Sequence, residues 1–147
     1  MSEETCKQLN VDLSGQVAIV TGASQGLGKA CAMELARNGA RVACLARNAE
    51  KLAEAVSAIE DAGGQASAFS VDVTDRESVD QTVDQIAEEW GSVDILVNNA
   101  GITRDKLVMA LKDEDWDEVL NTNLRGAFLC AREAVRPMIR NRSGRII

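Results

Sequence analysis

The chain has 147 residues, with 16 Lys plus Arg against 23 Asp plus Glu and a formal net charge of −7. Its 46% hydrophobic content suffices for one packed domain, and an acidic chain with 3% aromatics is a poor candidate for nucleic-acid binding. No run approaches the ~18 apolar residues of a membrane span, and the polar, acidic Met1–Asn10 segment lacks the apolar centre of a signal peptide, so a cytoplasmic protein is expected.

Val17–Thr21 reads as a short apolar strand, and the turn Thr21-Gly22-Ala23-Ser24-Gln25-Gly26-Leu27-Gly28 opens a helix over Gly26–Asn38 that Gly39 closes in a left-handed position. Arg41–Ala46 is a second strand. Leu52, Val56 and Ile59 recur at helical spacing within Ala49–Asp61, which ends before Gly63-Gly64. Ala66–Val73 is a third strand. Thr74-Asp75-Arg76-Glu77 fits a capping box for a helix running through Val79, Val83 and Ile86 to about Trp90. Asp94–Asn98 is a fourth strand. A polar connection through Thr103-Arg104-Asp105 then leads to a short helix and a long helical stretch from about Asp115 to Arg140, which Pro137 should kink or end. Gly144 precedes Arg145-Ile146-Ile147, the start of a fifth strand. Strand–helix alternation of this kind implies a doubly wound parallel α/β sheet of Rossmann type. Residues 1–12 form a polar extension and residues 13–147 the domain, which breaks off at the start of its fifth strand.

The glycine turn joins a strand to a helix N-terminus, an arrangement that seats a pyrophosphate on unpaired N–H groups. Gly22, Ser24, Gln25, Gly26, Leu27 and Gly28 are therefore candidate cofactor-binding residues. The spacing is neither GxGxxG nor a P-loop, since Lys29 and Ala30 follow Gly28 where a magnesium-holding Ser/Thr would stand. Asn98, Ala100 and Gly101 close the fourth strand, and Asn98 is expected to face the same crevice as Gly22. An ordinary loop cap is the alternative. Asp72 and Val73 would line the adenine end of the cleft, with a helix-start charge the equal alternative for Asp72. Asn123 and Gly126 interrupt a helical pattern at a propensity cost, which marks a functional site or a bend. Cys6, Cys31, Cys44 and Cys130 lack any metal-ligating pattern and read as small buried hydrophobes, so no metal is expected.

The stretches TGASQGLG, NNAG and NTNLRGAF, in this order and at these separations, resemble the short-chain dehydrogenase/reductase family from Leu13 onward. GITRDKLVMALKDEDWDEVLNTNLRGAFL is similar to the 3-oxoacyl-(acyl-carrier-protein) reductases of fatty-acid synthesis, although sugar and polyol dehydrogenases share much of it. The resemblance implies hydride transfer between a nicotinamide dinucleotide and a carbonyl or alcohol, with an Asn, a Ser and a YxxxK pair as catalytic residues. Asn123 matches the asparagine that holds a water in a proton relay. The chain has no Tyr and no His, and it stops at the strand after which the family's serine follows. The expectation is thus the dinucleotide-binding half of a longer enzyme; a non-catalytic nucleotide-binding module is the alternative if the chain is complete. Ala46 followed by Arg47 at the end of the second strand favours NADP (NADPH) over NAD, because a guanidinium suits a 2′-phosphate. Many relatives carry a basic residue where this chain has Gln25.

Arg132, Arg136 and Arg140 recur at four-residue spacing, with Arg142 and Arg145 behind them and only Glu133 opposing. Arg132 and Arg136 read as a solvated or subunit-interface face. By the resemblance, Arg142 and Arg145 are candidates for binding an acidic acyl carrier protein that delivers an acyl-thioester substrate. The same resemblance implies a homo-oligomer (a homotetramer) of the full-length parent, built partly on Leu124, Phe128 and Val135. The isolated chain is expected to expose those residues and the edge of its fourth strand, over Ile95 and Val97.

Overall fold

Val17–Thr21 (β1) is buried along its whole length, which identifies it as a central strand. The structure, a computed structural model, describes residues 11–147; Cys6 and the segment Met1–Asn10 lie outside the described residues. Gly26–Arg37 (α1), Arg41–Ala46 (β2), Ala49–Asp61 (α2), Gln65–Ser70 (β3), Arg76–Trp90 (α3) and Ile95–Val97 (β4) follow in strict alternation. A 3₁₀ turn at Val108–Ala110 precedes Asp113–Leu120 (α4), a π-helical turn at Asn121–Gly126, Ala127–Asn141 (α5) and Arg145–Ile146 (β5). All strand pairs are parallel, in the order β3-β2-β1-β4-β5. The order reverses between β1 and β4, which opens a crevice at their C-terminal ends.

Strand side chains alternate between two cores, as a sheet covered on both faces requires. Val17, Ile19, Leu45 and Leu96 pack with Val79, Val83 and Ile86 of α3 and Cys130, Ala134 and Met138 of α5. Ala18, Val20, Val42 and Ile95 pack with Ala32 and Ala36 of α1 and Leu52 and Ile59 of α2. The Asp94 carboxylate accepts from the Val17 N–H at 2.8 Å and the Ser92 hydroxyl at 2.7 Å, which holds the start of β4 against β1.

Several boundaries differ from those expected. The third strand stops at Ser70 instead of Val73, because Asp72 turns the chain by accepting from the Thr74 N–H and hydroxyl. Asp75, not Thr74, caps α3: its carboxylate accepts from Glu77 N at 3.1 Å and Ser78 N at 3.3 Å. The last helical stretch is divided by the π-helical turn, and Pro137 does not end α5, which runs on to Asn141. Its missing N–H removes one rung of the ladder on a buried face that the surrounding core holds in place. Ile95 is 6% exposed because it packs in the core under α1 and α2, and β5 pairs with the edge of β4. Leu124 and Phe128 stand 67% and 58% exposed, while Val135 is half-buried and not exposed as expected.

Cys44 and Cys130 are buried as expected, but Cys31 is exposed, because it falls on the outer side of α1. Burial pushes the Cys44 thiol up to about 12 and the Cys130 thiol up to about 11. Peptide-resolved alkylation at pH 8 should therefore modify Cys31 within minutes and spare Cys44 and Cys130 until denaturant is added. Equal labelling of the three would contradict the two-core packing.

Candidate functional site: a cleft at the sheet's strand-order reversal

Thr21 ends β1 with a buried hydroxyl that donates to the Val97 carbonyl at 3.3 Å and accepts from the N–H groups of Asn99 (3.1 Å) and Ala100 (3.0 Å). The Asn99 carboxamide donates to the carbonyls of Thr21 (3.1 Å) and Gly22 (3.3 Å). One hydroxyl and one amide thus lock the loop after β4 onto the glycine turn. Gly22 takes φ +67°, and Gly28 brings α1 so close that a Cβ there would collide with the Gly22 carbonyl and the Asn99 amide. The first turn of α1 contains no acidic residue, and its cap residue Gln25 makes no side-chain capping bond. Its N–H groups are left available to an anion.

A cleft of about 400 Å³ lies against this turn. Of the residues singled out from sequence, Gly22, Ser24, Gln25, Gly26, Arg47, Val73, Ala100 and Gly101 line it. Leu27 points to solvent at 79% exposure, and Gly28 acts from behind the turn as the close-contact position. Asn98 does not face the cleft with Gly22. Its N–H donates to the Ile147 carbonyl, its side-chain oxygen is buried without a partner, and the neighbouring Asn99 lines the cleft instead. Asp72 is likewise absent from the wall. Burial works to raise its carboxyl, but the Thr74 hydrogen bonds and the Arg47 charge outweigh that and hold it below the ordinary carboxylate range. Asp72 thus forms the turn between two cleft-lining valines, with the Arg47 charge close by.

Asn123 also lies outside the cleft wall, where Thr122 stands. Its carboxamide oxygen accepts from the Ile102 N–H at 2.8 Å and its nitrogen donates to the Ile102 carbonyl at 2.9 Å. The Asn123 side chain thus fastens the loop after β4 to the π-helical turn. Arg104 and Lys106 secure the rest of that loop through ion pairs with Glu118 (2.7 Å) and Asp115 (2.6 Å) of α4.

The cleft's electrostatics are one-sided. Its wall carries Arg47 and Lys51 and no carboxylate, in a chain of net charge −7. The apolar remainder is Leu45, Ala46, Val71, Val73, Ala100 and Ile102. Asn48, Lys51, Asn99 and Thr122 are lining residues that motif reading missed; the first two stand at the first turn after β2, where a doubly wound fold aims its helix starts at the crevice. The arrangement suits a dinucleotide: an apolar slot for a base, two cations, and open space where a Cβ on Gly26 would project. The arginine run resolves differently from its one-dimensional count. Arg132 and Arg136 both pair with the buried Glu133, at 2.8 and 2.9 Å, and Arg136 also reaches Asp80.

The family model for short chain dehydrogenase matches residues 16–147. The 3-oxoacyl-[acyl-carrier-protein] reductase FabG of Staphylococcus aureus (strain Mu50) is 44% identical over 131 residues, which is 88% of this chain and 53% of that protein. A metagenomic short-chain oxidoreductase solved in complex with NADP superposes with a TM-score of 0.87 at 37% identity, over 91% of this chain and 61% of the other. An NAD+-bound xylitol dehydrogenase gives a TM-score of 0.87 at 36% identity, over 90% and 52%. The chain spans about half the length of the curated relatives it matches.

Proposed function

Because the chain belongs to the short-chain dehydrogenase family, we propose that its cleft binds NADP(H) and that these residues form the nucleotide-binding part of an oxidoreductase acting on 3-oxoacyl thioesters. The observation that carries the cofactor reading is the cleft wall itself, with two cations and no acid. An NAD-selective site instead places a carboxylate at the end of the second strand to bind the ribose hydroxyls. A bound nicotinamide dinucleotide supplies the hydride for carbonyl reduction. Thr21, Asn99 and Gly28 set the turn that would receive its pyrophosphate, and Asn123 is a positioning residue for the loop beside it.

The test is direct binding. Arg47→Ala should weaken NADPH by roughly one to two decades, the ~1.5–3 kcal/mol of a charge-assisted hydrogen bond, and leave NADH nearly unchanged. Equal losses for both cofactors, or NADH preferred at the outset, would sink the reading.

The substrate class rests on the FabG relatives and on Arg140, Arg142 and Arg145, which have no ion-pair partner among the described residues. An acidic acyl carrier protein suits such a patch. Its binding should be salt-sensitive and weakened by Arg142→Glu and Arg145→Glu. A protein that ignores the carrier at low salt and binds xylitol would favour a polyol substrate, as in the xylitol dehydrogenase neighbour. The exposed Leu124 and Phe128 support a homo-oligomer joined through the start of α5. A cytoplasmic location goes with this assignment.

A further inference from the structure

The NADP reading counts Lys51 among the cations of the cleft wall but gives it no specific contact. Its N–H donates to the Asn48 side chain at 3.0 Å, so it belongs to the capped first turn of α2. Its ammonium crosses to α1 and donates to the Gln25 side-chain oxygen at 3.1 Å, although the two residues are 26 positions apart. Gln25 is the cap residue of α1 and makes no capping bond of its own. The two helix starts that face the cleft are therefore bridged at its mouth by a lysine on a neutral acceptor.

The neutrality of that acceptor is the informative point. Lys51 and Arg47 pair with no carboxylate among the described residues, although the chain carries 23 Asp plus Glu. Glu50 and Glu54 share α2 with Lys51 and are solvent-exposed, and Asp72 faces Arg47. An ammonium has three donors, and the amide takes one. Lys51 is thus positioned at the cleft wall with no carboxylate paired to it among the described residues and two donors besides the one given to Gln25.

We propose that Lys51 is a second cofactor-specificity residue, which binds the 2′-phosphate of NADP jointly with Arg47 while Gln25 holds its ammonium in place. The inference rests on the NADP reading and adds a residue to it. An exposed lysine contributes less than a bidentate guanidinium, so its share is the smaller of the two.

The experiment is calorimetric titration of the purified protein with 2′,5′-ADP and with 5′-AMP, which lacks the 2′-phosphate. Lys51→Ala should raise the Kd for 2′,5′-ADP about three- to fivefold and leave that for 5′-AMP nearly unchanged. Lys51→Arg should keep most of the 2′,5′-ADP affinity. Gln25→Glu should lower it at least as much as Lys51→Ala does, because a carboxylate both discharges the ammonium and repels the phosphate. If Arg47→Ala weakens 2′,5′-ADP while Lys51→Ala does not, Lys51 is only a surface bridge and this inference fails by itself. A wild-type protein that binds the two probes alike overturns the NADP reading and this inference together.

Discussion

Gly28→Ala should cost the protein about a hundredfold in NADPH affinity, roughly 2.8 kcal/mol, and measurably weaken the fold. The added methyl would overlap the Gly22 carbonyl and the Asn99 amide nitrogen. Neither can yield cheaply, because the first is backbone and the second is pinned to the carbonyls of Thr21 and Gly22. Relief requires α1 to lift from the β1–β4 junction, which withdraws the helix N-terminus from the cleft. Overpacking of this kind costs about 1–3 kcal/mol, and each hydrogen bond lost with it about 1 kcal/mol. Alanine's better helix propensity returns at most about 1 kcal/mol, so the clash wins. Gly26→Ala is the control for stability alone, since its methyl would enter the space assigned to the dinucleotide. Its Cβ would meet nothing within 4 Å, and only its φ of +57° is penalised, at roughly 1–2 kcal/mol. Urea denaturation of both variants and NADPH titration of Gly28→Ala check this. A Gly28→Ala protein with wild-type stability and affinity would show that the turn is not the rigid seat described here.

What the sequence disclosed, and what it hid, follows from the range of the forces involved. Arg41–Ala46 and Ala49–Asp61 match their expected bounds because local signals set both ends: an apolar strand, then a helix that Asn48 caps. The face of an asparagine is not local. Asn98 and Asn99 lie just beyond β4, and which one meets the cleft depends on the bonds that tie this loop to Thr21 and Gly22. The poor helix formers of Asn121–Gly126 advertised a propensity cost, but its reason lies in remote partners. Gly126 passes so near Val73 that a Cβ would sit 2.7 Å from its Cγ2, and Asn123 takes both backbone groups of Ile102. The depth of the arginine run's counter-charge was hidden for the same reason. That counter-charge is Glu133, whose place opposite the run the sequence shows, but whose burial to 2% exposure is set by helix packing. Lys51 was hidden because its role depends on Gln25 in a different helix.

The 147-residue chain should bind NADPH and yet leave a 3-oxoacyl thioester unreduced. Hydride delivery to a carbonyl produces an alkoxide that needs a proton, and a positioned general acid is worth about 10²–10⁴ in rate. The chain has no Tyr and no His to serve as one. Among the described residues, the titratable side chains at the cleft wall are Arg47 and Lys51. A guanidinium does not give up its proton in this pH range, and Lys51 sits with Arg47 at the β2 side of the cleft, the end assigned to the phosphate. Cys44 and Cys130 are sealed in the two cores. Thr122 does reach the wall on the side of the π-helical turn, but an unassisted hydroxyl is too weak an acid. Asn123 offers no rescue, since a carboxamide does not give up a proton in this pH range. Following NADPH absorbance with protein freed of host reductases should give the no-enzyme rate, while fluorescence titration of the same sample shows saturable NADPH binding. Turnover that scales with protein concentration and falls with Arg47→Ala would overturn this expectation, and its loss in Thr122→Val or Lys51→Ala would then identify the proton donor.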